Sequence, residues 1–190
     1  MKKIHVLITV CSVVLLSGTA YATPFQWSSM VGGNDHWYDV VLEKPETFLA
    51  WEDAKSAAES KGGYLATLTS AAESNFVWGL LTDLDFSSYW LGGYRNKLGD
   101  DPAENWSWVT GEAWAYHNWE DGEPNNGVNG TQNYLHFWRS YGKWDDMENG
   151  RYMSGYVIES EAAPVPEPAT MILFATGLAG MIGLKKWKKR

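Results

Sequence analysis

The chain has 190 residues, 15 Lys and Arg against 23 Asp and Glu for a formal net charge of −8, 45% hydrophobic content and 12 tryptophans. Outside its two ends the chain is acidic and has no basic patch with which to neutralise phosphates, which disfavours nucleic acid as a partner. The sequence also contains no phosphate-cradling glycine motif and no nucleophile elbow.

Residues 1–22 have the layout of a secretory signal peptide: basic Met1-Lys2-Lys3, an apolar stretch from Ile4 to Leu16, and the small-x-small site Ala20-Tyr21-Ala22. The mature chain is then expected to begin near Thr23. Cys11 is the only cysteine and leaves with the leader, so the exported protein depends on packing, without disulfide or thiol chemistry.

Two amphipathic helices follow in chain order. Trp51, Ala54 and Ala58 recur at helical spacing, with Thr47 or a neighbour as the start and Gly62-Gly63 as the left-handed stop. Ser70 and Glu73 form a capping-box pattern ahead of Phe76, Val77, Leu80 and Leu81 on one face. Both helices are expected to lie on a sheet.

From Ser88 the chain changes to short aromatic-rich segments separated by Gly, Asn and Asp. Strands are predicted at Tyr89 to Gly92, Trp106 to Val109, Asn133 to Trp138, Lys143 to Asp145 and Gly155 to Ile158, with Trp106 and Trp108 on one face. The interval from Thr110 to Thr131 has little periodicity and many loop formers, and a loop of that length in a compact domain is more often functional than idle.

That interval contains Glu123-Pro124-Asn125, and Trp144-Asp145-Asp146 comes about twenty residues later, so two separate segments offer hard oxygen ligands of the kind calcium takes. Pro124 holds Glu123 extended, and a cis Glu-Pro bond would aim Glu123 and Asn125 along one rim. On these residues alone an ordinary polar loop is an equal reading. His36, His117 and His136 lack ligand spacing and read as satisfied hydrogen-bonding side chains. Trp114, Trp119 and Trp138 read either as core or as stacking faces for a sugar.

The C-terminal segment, residues 163–190, carries Val165-Pro166-Glu167-Pro168, an apolar run from Ala169 to Leu184 and the basic end Lys185-Lys186-Trp187-Lys188-Lys189-Arg190. The run is shorter than the roughly 20 residues that span a bilayer comfortably, but terminal lysines can snorkel and stay cytoplasmic. This tail resembles the PEP-CTERM sorting signal of Gram-negative bacteria. The resemblance implies transient residence in the inner membrane, processing by an exosortase, and delivery to the cell surface or exopolysaccharide matrix. A plain membrane anchor is the alternative.

Setting both ends aside removes Lys2, Lys3, five basic tail residues and Glu167, leaving 8 basic against 22 acidic side chains, a net charge of −14 over residues 23–162. About 140 residues make one domain of ordinary size. Its carboxylate excess suits a cation-binding surface protein.

Across residues 23–162 the order of motifs resembles the C-type lectin-like domain. The matching positions run from Trp51-x-x-Ala54 through Gly62-Gly63-Tyr64-Leu65-Ala66-Thr67-Leu68, Glu73, Trp90-Leu91-Gly92-Gly93, Trp106-Ser107-Trp108 and Gly111. They continue with Trp119, Gly122-Glu123-Pro124-Asn125-Asn126, Gly142-Lys143-Trp144-Asp145-Asp146 and Tyr156-Val157-Ile158-Glu159. The resemblance implies an α+β fold with two helices flanking small antiparallel sheets and a long loop that binds calcium and sugar together. The Glu-Pro-Asn form implies a mannose- or glucose-type ligand.

Departures from the family pattern bear on both stability and chemistry. Ala58 and Ile158 stand where one disulfide is expected, and Tyr134 and Asn149 near the other, so the aromatic core, including Trp90 and Trp108, is expected to carry that load. Gln132 stands where the family usually has a glutamate, and Asp145-Asp146 where it has Asn-Asp. Acid and amide are thus exchanged, and the implied metal set is Glu123, Asn125, Gln132, Asp145 and Asp146, with Glu123, Asn125, Gln132 and Asp145 also meeting the carbohydrate. The resulting expectation is a calcium-dependent carbohydrate-binding protein. The alternative is a structural or adhesive matrix protein with the same fold and no sugar. An enzyme is not expected, because Asp145 and Asp146 are adjacent and would point apart on a strand.

Overall fold

A computed structural model describes residues 24–44, 48–82, 84, 88–95, 101–138 and 141–164. The leader, Thr47 and the apolar run at 169–184 lie outside the described residues, and among those described no helix is long and apolar enough to cross a membrane.

One mixed sheet organises the fold. Strand β1 (Phe25–Gln26) pairs with β2 (Trp37–Leu42), and β2 pairs antiparallel with the final strand, β10 (Gly155–Ser160). Next to β10 runs β5 (Ser88–Arg95), in parallel, then β7 (Tyr134–Trp138) and β8 (Lys143–Met147), both antiparallel to their neighbours. Two short strands branch off: β4 (Tyr64–Leu65) onto β10, and β6 (Trp106–Trp108) onto β5. A separate ribbon joins β3 (Phe48–Leu49) to β9 (Arg151–Tyr152). The α+β class expected from the sequence is what forms, together with short early strands that carry too little alternation to be read.

The first helix, α1, spans Trp51–Ser60 and buries Trp51, Ala54 and Ala58. Gly62 at φ 80° supplies its left-handed stop, as only glycine does without strain. No side chain at its own N-cap position caps the helix; Asn149 Oδ1 accepts from Trp51 N at 2.9 Å instead. Helix α2 spans Ala71–Gly79, and Ser70 Oγ accepts from Glu73 N at 3.2 Å, so half of the predicted capping box forms. The other half does not, because Glu73 turns inward to Thr69 N and the Tyr38 hydroxyl.

Alternation along the strands divides the core between the two sheet faces. Tyr89, Leu91, Leu135, Phe137, Trp144 and Val157 join Trp106, Trp108, Val77 of α2 and Leu81 just beyond that helix on one side. Trp90, Tyr156 and Ile158 join Trp51, Ala54 and Ala58 of α1 on the other. Gly92 lets β5 pass from one partner to the next, since a Cβ there would sit 2.4 Å from the Leu65 carbonyl oxygen. β5 pairs with β10 up to Trp90 and with β6 from Gly93.

Packing occupies the positions where disulfides were expected. Ala58 and Ile158 share one buried cluster. Tyr134 lies against the Trp51 ring at 4.8 Å between centroids and its hydroxyl reaches Glu52, while Asn149 caps the same helix turn. Both positions of the second pair therefore tie β7 and the segment after β8 to the start of α1. Trp90 and Trp108 are fully buried.

Candidate functional site

The segment between β6 and β7 has almost no regular structure and is held by its indoles. Trp114 and Trp119 pack into a cluster with Trp106, Trp108 and Trp144, with Trp108 to Trp114 at 4.5 Å and Trp106 to Trp119 at 4.8 Å. Burial of several large aromatics substitutes for periodic hydrogen bonding as the force that fixes this stretch. Two backbone bonds then dock it on the outer edge of β8: Trp144 N donates to Asn118 O, and Glu120 N to Trp144 O, each at 2.9 Å. The Glu123–Pro124 bond is cis, as the sequence reading required.

This docking brings three carboxylates together. One oxygen each from Glu123, Asp145 and Asp146 lies within 4.8 Å of the others. Asp146 is fully buried and clamps the loop, its Oδ1 accepting from Asn125 N at 2.9 Å and its Oδ2 from Asn126 N at 2.8 Å. Asp145 Oδ2 lies 3.2 Å from His136 Nε2 on the neighbouring strand. The expectation that Asp145 and Asp146 point apart is therefore corrected. Their Cα–Cβ bonds do alternate, but β8 is the last strand of the sheet, and at an edge both side chains can reach the loop that covers it.

The two amide residues are placed differently. Asn125 Nδ2 donates to Glu123 Oε1 at 2.8 Å while its Oδ1 accepts from Gly127 N at 2.6 Å, so Asn125 joins the cluster through Glu123 and turns its carbonyl to its own loop. Gln132 N donates to Asn126 Oδ1 at 3.2 Å, and its side-chain nitrogen faces Met147 Sδ at 3.8 Å. Its Oε1 is buried without a hydrogen-bond partner. Gln132 borders the site, and none of its hydrogen bonds is to a carboxylate of the cluster.

Crowding of like charge shapes the electrostatics. Burial first, and Asp145 and Asp146 after it, push the Glu123 carboxyl up to about 8. Burial also raises Asp146, against the pull of the Asn125 and Asn126 amides. Glu123 Oε2 is buried with no hydrogen-bond partner. Such a cluster requires something positive between its oxygens, either a proton or a cation. Three hard carboxylate oxygens from two segments fit calcium, which takes about six to eight oxygens in adaptable geometry and completes its shell with water or ligand.

The sequence reading did not single out two residues that support this site. Asn126, at φ 59°, pins Gln132 and presents its amide to Asp146. His136 stands directly opposite Asp145 in the β7–β8 pairing. A hairpin register counted across residues 139–142 would have found that pair, because the turn length sets which residues face each other. His36 lies far from the site and bonds Glu159 at 2.6 Å. The stacking-face reading of Trp114 and Trp119 gives way to the core reading, since both rings pack against the buried indoles.

Comparison with known proteins bears on the family and the fold. The family model described as Lectin C-type domain matches residues 47–157, and that described as PEP-CTERM protein-sorting motif matches residues 164–189. A perlucin-like protein of Mytilus galloprovincialis is 32% identical over 111 residues, covering 56% of this chain and 67% of its own. Ladderlectin of Oncorhynchus mykiss is 30% identical over 119 residues, covering 60% and 59%. The chain thus spans about three fifths to two thirds of these relatives' length. Among solved structures, the cow C-type carbohydrate-recognition domain of CD23, crystallised in the presence of a GlcNAc2Man3 oligosaccharide, superposes with a TM-score of 0.55. It is 26% identical, covering 68% of this chain and 90% of that one.

Proposed function

From the premise that the chain belongs to the C-type lectin domain family and carries a PEP-CTERM sorting motif, we propose that it is an exported, calcium-dependent carbohydrate-binding protein. The observation that carries this reading is the convergence of Glu123, Asp145 and Asp146 within 4.8 Å, with one Glu123 oxygen buried and unpaired. In the proposal these three carboxylates hold the ion, and Asn125 and Gln132 supply amide groups beside it. When bound, calcium offers open coordination positions to a pair of adjacent hydroxyls.

The chain's own residues do the rest. A sugar gives up water on binding, so its hydroxyls need polar replacements. Glu123 and Asp145 can accept from them, while the Asn125 and Gln132 amides can donate or accept. Asp146, through the Asn125 and Asn126 amides, holds the loop in place for that contact. A mannose- or glucose-type ligand suits this acid–amide set. Catalysis is not part of the proposal, and the family is one of binding modules.

The proposed life history follows from the ends of the chain. Residues 1–22 direct export, residues 163–190 engage the inner membrane and are processed by an exosortase, and residues 23–162 remain at the cell surface or in the exopolysaccharide matrix. One observation favours a second reading, a structural or adhesive matrix protein that binds no sugar: the Asn125 carbonyl is occupied by Gly127 N. Calorimetric titration with calcium, with and without mannose, separates the two. The first reading expects mannose binding only with calcium, and Asp145→Ala is expected to abolish calcium-dependent stabilisation. A wild-type melting curve identical with and without chelator would overturn it.

A further inference from the structure

Behind the candidate site lies a row of three side chains that the sheet sets in register. Trp90 on β5 faces His136 on β7, and His136 faces Asp145 on β8. His136 is completely buried. Two indoles hold its ring edge-on, Trp90 at 5.9 Å and 79° and Trp138 at 5.8 Å and 83°. Rotation of the imidazole is thus blocked from both sides.

The ring's two nitrogens face oxygens. Nδ1 lies 2.7 Å from the Phe137 carbonyl oxygen, and Nε2 lies 3.2 Å from Asp145 Oδ2. A carboxylate oxygen accepts, so in the contact with Asp145 the ring nitrogen Nε2 is the donor. The donor to Asp145 is then fixed by packing rather than chosen by solvent. A buried imidazole with no such partner would leave a polar group unsatisfied.

On these contacts we propose that His136 is a positioning residue for the site: its Nε2–H, donated to Asp145 Oδ2, sets the orientation of the Asp145 carboxylate towards Glu123 and Asp146. This rests on the calcium reading of the site and adds the device that tunes it. Three crowded carboxylates need their directions fixed, because each is repelled by the other two. Asp146 is fixed by two loop amides and Glu123 by the Asn125 amide. Asp145 is the member whose anchor comes from inside the sheet. Partners of this outer kind hold ligand oxygens in place before the ion arrives, and their removal typically weakens metal affinity about 10- to 100-fold.

The test combines three substitutions with one spectroscopic measurement on the metal-free protein. His136→Phe removes the donor while keeping a ring between the two indoles, and is expected to weaken calcium binding about 10- to 100-fold by calorimetry. His136→Gln can place an amide donor near the Nε2 position and is expected to recover most of that loss. In an Asp145→Asn background, which weakens binding by itself, His136→Phe is expected to have little further effect, because the histidine acts through Asp145. In the calcium-free wild type, 15N NMR of the ring is expected to show Nε2 protonated, with a shift that moves in Asp145→Asn.

Unchanged calcium affinity in His136→Phe, beside a wild type that binds, overturns the positioning role and leaves the proposed function standing. A wild type that binds no calcium overturns both. Should His136→Phe fail to fold, an unprotonated Nε2 in the wild type, or affinity lost equally in His136→Gln and in a folded His136→Leu, overturns the role on its own.

Discussion

Carboxylates are buried side by side at two places in this molecule, and the places differ in what surrounds them. Under the N-terminal segment, Glu73 and Glu159 are 3% and 1% exposed, and all four of their oxygens have donors. Glu73 receives Asn34, Tyr38 and Thr69; Glu159 receives His36, Tyr38 and the Thr67 amide. At the edge of β8, Glu123, Asp145 and Asp146 crowd together, and one Glu123 oxygen has no donor. The first cluster is complete as folded, since buried polar groups are tolerated once each is bonded. The second is complete only with an added positive charge. Burial alone therefore does not distinguish the two clusters; an unmet oxygen within a convergent set of carboxylates does.

The largest expected effect tests the first half of that contrast. Glu159→Ala leaves His36, Tyr38 and the Thr67 amide facing an empty space, and by analogy with broken buried pairs should cost about 3 to 5 kcal/mol in denaturant unfolding. The loss is expected to be the same in calcium and in chelator. A loss that calcium largely restored would mean that the two clusters are not distinct in kind.

Glu123→Gln tests the other half. In chelator near neutral pH the variant should be as stable as the wild type or slightly more so, because the Glu123 carboxyl, pushed up to about 8, must take up a proton on folding and an amide need not. With calcium at about a hundred times its dissociation constant, the wild type should gain about 2.7 kcal/mol, and the variant far less. Thermal melts of both proteins in both conditions read this directly. A wild type destabilised by calcium would break the comparison.

A pH series in chelator sharpens it further. Burial pushes the Glu159 carboxyl up to about 7, from an ordinary value of 4.5. Between those values the folded state holds a proton that the unfolded chain has released, so stability falls as pH rises. The contribution is present below 4.5 and is lost on passing through about 7. The decline attributable to this group should be about 1 to 3 kcal/mol, and Glu159→Gln should flatten it. A profile that rose over the same range in the wild type, and not in the variant, would contradict the sign.

The contrast also shows how far the sequence could be read. The helix of Trp51, Ala54 and Ala58 and the strand of Trp106 and Trp108 were legible because their spacing is local and their burial one-sided. Glu123, Asp145 and Asp146 were legible as a group through the ordered motifs they belong to. The Glu73–Glu159 network was not, since it joins residues 86 positions apart through Tyr38, whose hydroxyl bonds both acids. Nor was the direction of Asp145 and Asp146. Strand alternation gives the sign of a Cβ but not whether an edge strand lets two side chains turn to one side. The amides were ambiguous for a similar reason: nothing local says that Asn125 spends its carbonyl on Gly127, or that Gln132 lies beside Met147.

The smallest effect, that of Asn126→Gly, concerns the loop that connects these residues. Asn126 adopts φ 59°, and its Oδ1 accepts from Gln132 N. Asn126→Gly keeps the left-handed backbone and deletes only that side-chain bond, so it should cost about 0.5 to 1.5 kcal/mol in chelator. Asn126→Ala deletes the same bond and adds the steric cost of a Cβ at positive φ, about 1 to 2 kcal/mol more. The difference between the two variants isolates backbone strain, and the loss common to both isolates the tether on Gln132. If the site depends on Gln132 being held, both variants should weaken calcium binding by the same factor. If only the loop's shape matters, Asn126→Gly should bind like the wild type, and Gln132 would drop out of the ligand set.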